Sequence, residues 1–150
     1  PRHSPTPLAQ VHLTLQFIGN VSERELGVIE ESIGRSASGI GAFELTPTAI
    51  ATFPPKREIR LVAALCDGPP PILELHRRLA QRLARNVRER AGDRFTPHFT
   101  LARFKDGTRV DRWSVPLEGP RVTVAEIKLV RSVLKPSGAE HRTIRSIALE

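Results

Sequence analysis

The chain has 150 residues, about the size of one ordinary domain and long enough to bury a real core. Hydrophobic residues make up 39% and charged residues 26%, which excludes a disordered tract, and no apolar run approaches the roughly 20 residues that span a bilayer. Lys and Arg number 23 against 16 Asp and Glu, a formal net charge of +7 in which Arg far outnumbers Lys. Guanidinium forks suit phosphate, so the charge permits a nucleic-acid partner, but an Arg-rich proteome would leave the same trace. Cys66 is the only cysteine, which excludes an intramolecular disulfide. The first residues, PRHSPTPLAQ, lack a signal-type apolar core, so the expected location is cytoplasmic. The chain contains no Met and starts at Pro1, which reads as an amino-terminally shortened sequence.

Val11 to Ile18 alternates like a strand, with His12, Thr14, Gln16 and Ile18 on one side and Leu13, Leu15 and Phe17 turned to a core. Ser22 and Glu25 form a Ser-x-x-Glu capping box that opens a helix to about Ser36, broken by Gly39 and Gly41. Phe43 to Phe53 reads as extended, and Ile59 to Leu65 as a buried strand. Pro69 to Pro71 lead into a helix from Ile72 to Arg90, with Leu75, Leu79, Leu83 and Val87 on its apolar face and Gly92 as its stop. His98 to Phe104 is a further strand, followed by a turn at Asp106-Gly107. Val122 to Leu134 is β-patterned, Pro136-Ser137-Gly138 turns the chain, and Arg142 to Leu149 is the last strand. Several strands adjoin through turns, so the expected class is α+β with antiparallel sheet.

Two of these strands carry an echo: His12-Leu13-Thr14-Leu15 and His98-Phe99-Thr100-Leu101. Residues i and i+2 share a strand face, so each motif presents an imidazole beside a hydroxyl. One His-x-Thr is usually structural, whereas two copies sharing the fourth Leu arise by chance about one time in a thousand. Two imidazoles and two hydroxyls around one anion suffice for phosphoester hydrolysis. One imidazole takes a proton from water, the other gives one to the leaving oxygen, and the hydroxyls hold phosphoryl oxygens. No CxxC, HExxH or paired-His helix spacing is present, so neither a metal nor a cofactor is expected.

With these residues in view the chain resembles the two-histidine (2H) phosphoesterases, and within them the RNA 2′,3′-cyclic phosphodiesterases also called 2′–5′ RNA ligases. The resemblance rests on HLTLQFIGNV from His12, TPHFTLARF from Thr96 and IKLVRSVLKPSGAEHRTI from Ile127, and it covers nearly the whole chain. It implies one bilobal domain over 1–150, two antiparallel sheets around a central cleft with helices outside, each lobe supplying one motif. It also implies metal-independent hydrolysis of RNA 2′,3′-cyclic phosphate ends to 2′-phosphate, with reversible 2′–5′ RNA ligation as a second capacity. The implied partners are RNA ends, tRNA fragments among them, and the implied state is a monomer away from membranes. His12, Thr14, His98 and Thr100 carry over as the catalytic set. The residues leave open which histidine is acid and which is base; the assignment adopted is His98 to activate water and His12 to protonate the departing 3′ oxygen. The chain departs from the family in lacking its first strand and helix, and in carrying His141 near where relatives tend to have Tyr.

The remaining candidates are weaker. Arg103 completes HFTLAR and would clamp phosphate, but strict alternation puts it opposite His98 and Thr100 unless a bulge re-aims it. Gln16 shares the His12 face as a substrate contact or a cleft-lining residue. Phe17, Phe99 and Phe104 stack a base or pack the core, the core being favoured. Arg131 and Ser132 face either the cleft or solvent. His3 and His76 are peripheral, and Arg77, Arg78, Arg82 and Arg85 form a solvated face that steers RNA. The rival readings are a nucleotide-binding module that holds a phosphate without turnover, and a 2H phosphodiesterase acting on another cyclic nucleotide.

Overall fold

The computed structural model describes residues 3–84, 95–136 and 138–150. The elements in chain order are β1 (His3–Pro5), a 3-10 turn (Leu8–Gln10), α1 (Glu23–Ala37), β2 (Phe43–Leu45), β3 (Pro47–Phe53), β4 (Leu61–Cys66), α2 (Pro70–Leu83), β5 (His98–Phe104), β6 (Ser114–Pro116), β7 (Val122–Val124), β8 (Glu126–Lys135) and β9 (Gly138–Ala148). The strand ladders are antiparallel wherever their register is defined, which makes the fold α+β as the sequence implied. Among the described residues no helix is long and apolar enough to cross a membrane.

Contacts divide the chain into two compact units. The first comprises Pro1–Thr14, Leu45–Gly68 and Thr96–Val122. Its frame is a five-stranded sheet in the order β1-β5-β4-β3-β6. Ala51 and Ala63 are buried at its centre, beside Leu61 and Cys66. The β6 edge is fixed through Thr52, whose hydroxyl donates to the Trp113 carbonyl at 3.1 Å and accepts from the Trp113 N–H at 3.0 Å. Burial, then the adjacent Asp67 carboxylate, push the Cys66 thiol up, so it is a poor nucleophile.

The second unit comprises Leu15–Glu44, Pro69–Phe95 and Thr123–Glu150. Here α1 and α2 pack together and bury Ile29, Ile33, Ile72, Leu75 and Leu79, each contributing about 1.5–3 kcal/mol of transfer free energy. The capping box forms as expected: the Ser22 N–H donates to Glu25 Oε2 at 2.7 Å, and Gly39 at φ +77° follows the end of α1. The two helices are tied by a chain of polar contacts. Glu74 accepts from Arg77 and Arg78, and Arg78 Nη1 donates in turn to the Ser36 and Ser38 carbonyls at 3.2 and 2.8 Å. Those carbonyls belong to the carboxyl end of α1, where a cation is favourable. His76 stacks flat on Phe95, centroids 4.1 Å apart, and burial lowers its pKa; it is part of this packing rather than peripheral.

Several boundaries differ from the sequence expectations. Helix α2 starts at Pro70, since prolines are tolerated in a first helical turn, and its described end is Leu83. Arg85, Val87, the rest of the expected helix to Arg90, and Gly92 lie outside the described residues, as does Ser137. The single β-patterned run from Val122 divides at Ala125 into β7 and β8. Most consequential, Val11 to Ile18 is not a strand: only Leu13 makes a bridge, to Phe99. The neighbour for this segment is β5, and β1 already occupies that edge from Ala102 to Phe104. Phe17, expected to turn inward, is 75% exposed.

The contacts from Arg77 and Arg78 hold the Glu74 carboxyl at about 2, below its ordinary 4.5. A depressed carboxyl pKa adds stability that is fully present above the ordinary value and is lost as pH falls towards the folded one. Denaturant unfolding should therefore show stability falling between about pH 4.5 and pH 2. Arg78→Ala should cost about 1–2 kcal/mol near neutrality and shrink that acid limb. An acid limb unchanged in the variant would show that the Glu74–Arg78 contact does not hold the helices.

Candidate active site

Both histidine motifs fall in the first unit. Strand β5 carries His98, Phe99 and Thr100 between β4 and the edge shared by β1 and Leu13. After β1 the chain stays on this edge, with the Thr6 N–H donating to the Leu101 carbonyl at 2.9 Å. It then leaves in the 3-10 turn and returns at Leu13 opposite Phe99. In that antiparallel register His12 faces Thr100 and Thr14 faces His98. Directly opposite residues share a sheet face, and alternation turns these four away from the Leu13 and Phe99 side. The bridge thus brings the two imidazoles and two hydroxyls to one face, without the full strand expected around His12.

Each imidazole is oriented in the same way. His12 Nδ1 lies 2.7 Å from the Gln10 carbonyl, and His98 Nδ1 lies 2.8 Å from the Thr96 carbonyl, in both cases the residue two before the histidine. A carbonyl only accepts, so Nδ1 carries the proton and Nε2 is the nitrogen that exchanges one. The His98 ring also stacks on Phe53, centroids 4.3 Å apart and planes at 28°. Phe53 lies on the same face of β3. The intervening Ala51 and Ala63 have only methyl side chains, which leaves the Phe53 ring free to lie across them. His98 is half-buried and His12 exposed; Thr14 and Thr100 are half-buried.

Arg103 reaches this face through a bulge. On β5, Thr100 pairs with Ala63 and Ala102 with Val62, which leaves Leu101 as an extra residue. Beyond the bulge Arg103 pairs with Leu61, and Leu61 shares the β4 face of Ala63. Arg103 therefore lies on the His98 and Thr100 face, where strict alternation would have put it on the other. Its exposed side chain also lines an open groove with Glu58, Arg60, Lys105 and Asp106, which neither motif histidine touches.

Gln16 and Phe17 belong to the second unit. Gln16 Nε2 donates to the Phe17 carbonyl at 2.8 Å, so its amide is spent locally. Phe99 and Phe104 are half-buried on β5, and His3 pairs with Phe104 on β1. Among the described residues no group of three His, Cys, Asp or Glu side chains gathers as a metal site would. The sequence reading missed Phe53 and the Gln10 and Thr96 carbonyls. Carbonyl acceptors leave no residue signature, and Phe53 meets His98 only through the β3-β4-β5 register.

A family model described as the 2′-5′ RNA ligase superfamily matches residues 2–135. The chain belongs to that superfamily. A Thermus thermophilus protein named RNA 2′,3′-cyclic phosphodiesterase is 32% identical over 156 aligned positions, covering 97% of this chain and 75% of its own. One of the same name from Methanothermobacter thermautotrophicus is 29% identical, covering 85% and 72%. Among solved structures, one from Thermus thermophilus superposes with a TM-score of 0.81 at 26% identity, covering 98% and 82%. The structure of Escherichia coli LigT complexed with 3′-AMP superposes with a TM-score of 0.71 at 23% identity, covering 97% and 79%, a likeness of fold.

The paired carbonyl contacts make a spectroscopic prediction for this superfamily member. Nitrogen-15 NMR of the neutral rings should show both His12 and His98 as the Nδ1–H tautomer, the one that exposed histidines disfavour. Signals of the Nε2–H tautomer at either ring would remove the carbonyl anchor from the account.

Proposed function

We propose that this protein hydrolyses RNA 2′,3′-cyclic phosphate ends to a 2′-phosphate and a free 3′ hydroxyl, with His12 and His98 as the acid–base pair. The observation that carries the reading is the placement of His12, Thr14, His98 and Thr100 on one sheet face with both rings anchored through Nδ1. The shared name of the Thermus and Methanothermobacter relatives supports the RNA end as substrate.

In this reading one ring is neutral and the other doubly protonated at the start of a turnover. Nε2 of His98 takes a proton from water as the water oxygen bonds to phosphorus. The P–O3′ bond breaks, and Nε2–H of His12 gives its proton to the departing 3′ oxygen. His98 is suited to the base role because the Thr96 carbonyl and Phe53 both fix its ring, and a base must aim a small, mobile water in line with the leaving oxygen. The Thr14 and Thr100 hydroxyls and the Arg103 guanidinium hold the phosphoryl oxygens, whose charge grows in the transition state. The two rings end with exchanged protonation and reset through solvent. No step draws on a metal, a cofactor or a membrane. The same cleavage run backwards joins a 2′,3′-cyclic phosphate to a 5′ hydroxyl, so 2′–5′ ligation needs no further groups, and tRNA fragments with such ends are fitting substrates. The protein acts as a cytoplasmic monomer in this reading, with Gln16 and Phe17 as outlying substrate contacts.

The test is incubation of a short RNA bearing a 2′,3′-cyclic phosphate, in EDTA, with the end group then identified. The expected product is the 2′-phosphate alone, with a bell-shaped pH profile from one acid and one base. His12→Ala or His98→Ala should lower kcat by about 10²–10⁴-fold or more with folding intact. Arg103→Ala should lower kcat/KM by about 10- to 100-fold, the worth of one hydrogen bond to a charged group. Near-normal turnover in either histidine variant would sink the mechanism. Binding without turnover would point to a nucleotide-binding module, and turnover confined to another cyclic nucleotide to a different 2H phosphodiesterase.

A further inference from the structure

The second unit holds an arrangement of charge that its own packing does not explain. Strands β8 and β9 form a long antiparallel hairpin. Its base lies against α1, where Ile127 and Leu129 are buried and Arg145 reaches Glu30 at 3.7 Å. Arg145 pairs with Leu129, so α1 covers the face that also carries Arg131, Val133 and Lys135 further along β8. From Val130 outwards β8 is exposed, Val133 at 43%, and this distal part of the face extends past the helix.

The hairpin strands carry the cations Lys128, Arg131, Lys135, Arg142 and Arg145 and only two acids, Glu126 and Glu140. Glu126 is paired with Lys128 and Glu140 with Lys135, while Arg145 takes Glu30 of α1. The acids within reach are thereby used. Arg131 and Arg142 remain without an acidic partner among the described residues, and the register sets them directly opposite each other. Side chains opposite each other on antiparallel strands have Cβ atoms about 4.5–5.5 Å apart and share a face, and like charges there repel. A fold gains nothing from this pair, and an anion between the two guanidiniums reverses the sign of the interaction. Two adjacent planar forks offer a phosphate parallel N–H donors from both sides.

We propose that Arg131 and Arg142 together bind a backbone phosphate of the RNA strand, at a nucleotide other than the reacting end. The hairpin is then a docking surface for RNA beyond the cyclic phosphate. This rests on the reading of the substrate as RNA but involves none of the residues placed in the chemistry. The shared recognition chemistry is a phosphate anion, which a free phosphate also offers, so the test separates the two.

The experiment measures binding of a labelled oligoribonucleotide with an ordinary 3′ hydroxyl end, across a salt series, to the wild type and to the Arg131→Gln/Arg142→Gln double variant. Melting temperature and turnover of 2′,3′-cyclic AMP are measured alongside. The variant should bind the strand about tenfold more weakly, with a log–log salt slope shallower by about 1.4, roughly 0.7 for each lost phosphate contact on a single strand. Its melting temperature should be equal or higher, since repulsion is removed, and cyclic AMP turnover should be unchanged. Equal affinity and slope in the two proteins would overturn the proposal. So would a variant that loses binding together with melting temperature, or displacement of the strand by inorganic phosphate at matched ionic strength. A wild type that binds RNA through these arginines yet hydrolyses no cyclic phosphate would refute the enzymatic reading and leave the docking surface standing.

Discussion

The candidate site depends on one antiparallel bridge, Leu13 to Phe99. A strand has a side-chain period of two, so a slip of one residue at this bridge would move every side chain on the slipped segment to the other face. His12 and Thr14 would then sit with Phe99 instead of with His98 and Thr100. The surrounding structure holds the bridge from several directions. Strand β5 is pinned on one side by β4 through paired residues from His98 to Arg103. On the other side β1 and the Thr6 N–H fix where the chain enters its 3-10 turn, and hence where it returns. The bulge at Leu101 adds a shift of one residue within β5 itself, and that shift is what brings Arg103 to the His98 face.

The face positions the residues, and the backbone then orients them. An imidazole is useful in proton transfer only when its exchanging nitrogen points at the reacting atom. The carbonyls of Gln10 and Thr96 achieve this by holding Nδ1–H at the same chain offset in both motifs. Both motifs therefore repeat in hydrogen bonding as well as in residue type, though one sits on a regular strand and the other on a segment with a single bridge. The short distance from carbonyl to histidine explains how so different a setting gives the same ring orientation. Phe53 breaks the equivalence by stacking on His98, and it provides a structural reason for assigning the two rings unequal roles.

The residue types of the site were legible in the sequence because chemistry restricts them: His-x-Thr on an extended segment has few structural reasons to occur twice. The α+β class, α1 with its capping box, and β5 from His98 to Phe104 were equally legible, since periodicity and capping are local properties. What the sequence concealed was non-local. Alternation from Val11 to Ile18 imitated a strand, but a strand also needs a neighbour with a vacant edge, and β5 had room for one residue. The side on which Arg103 falls turned on a bulge, which inserts one residue without any marker in composition. Phe53 had no signal at all, being one aromatic among several until two ladders placed it across Ala63 from His98.

The excess of Arg illustrates the difference between a composition and a structure. A net charge of +7 reads equally as a nucleic-acid surface or as the habit of an Arg-rich proteome. Individual contacts separate the two. Arg35, Arg77 and Arg145 are paired with Glu31, Glu74 and Glu30, and Arg78 joins Glu74 to the end of α1. Arg112 donates to the Pro54 and Arg57 carbonyls at 2.6 and 2.9 Å and so closes a loop of the first unit. These arginines serve the fold, and their charge is largely answered within it. Arg103 on the histidine face, and Arg131 beside Arg142 on the hairpin, serve no such contact. A helix face thick with arginine looked in the sequence like the place where RNA would be drawn in, yet at Arg77 and Arg78 that charge is committed to Glu74. The cations left for a polyanion stand instead on strands, where a register sets them side by side and a flexible helix surface would not.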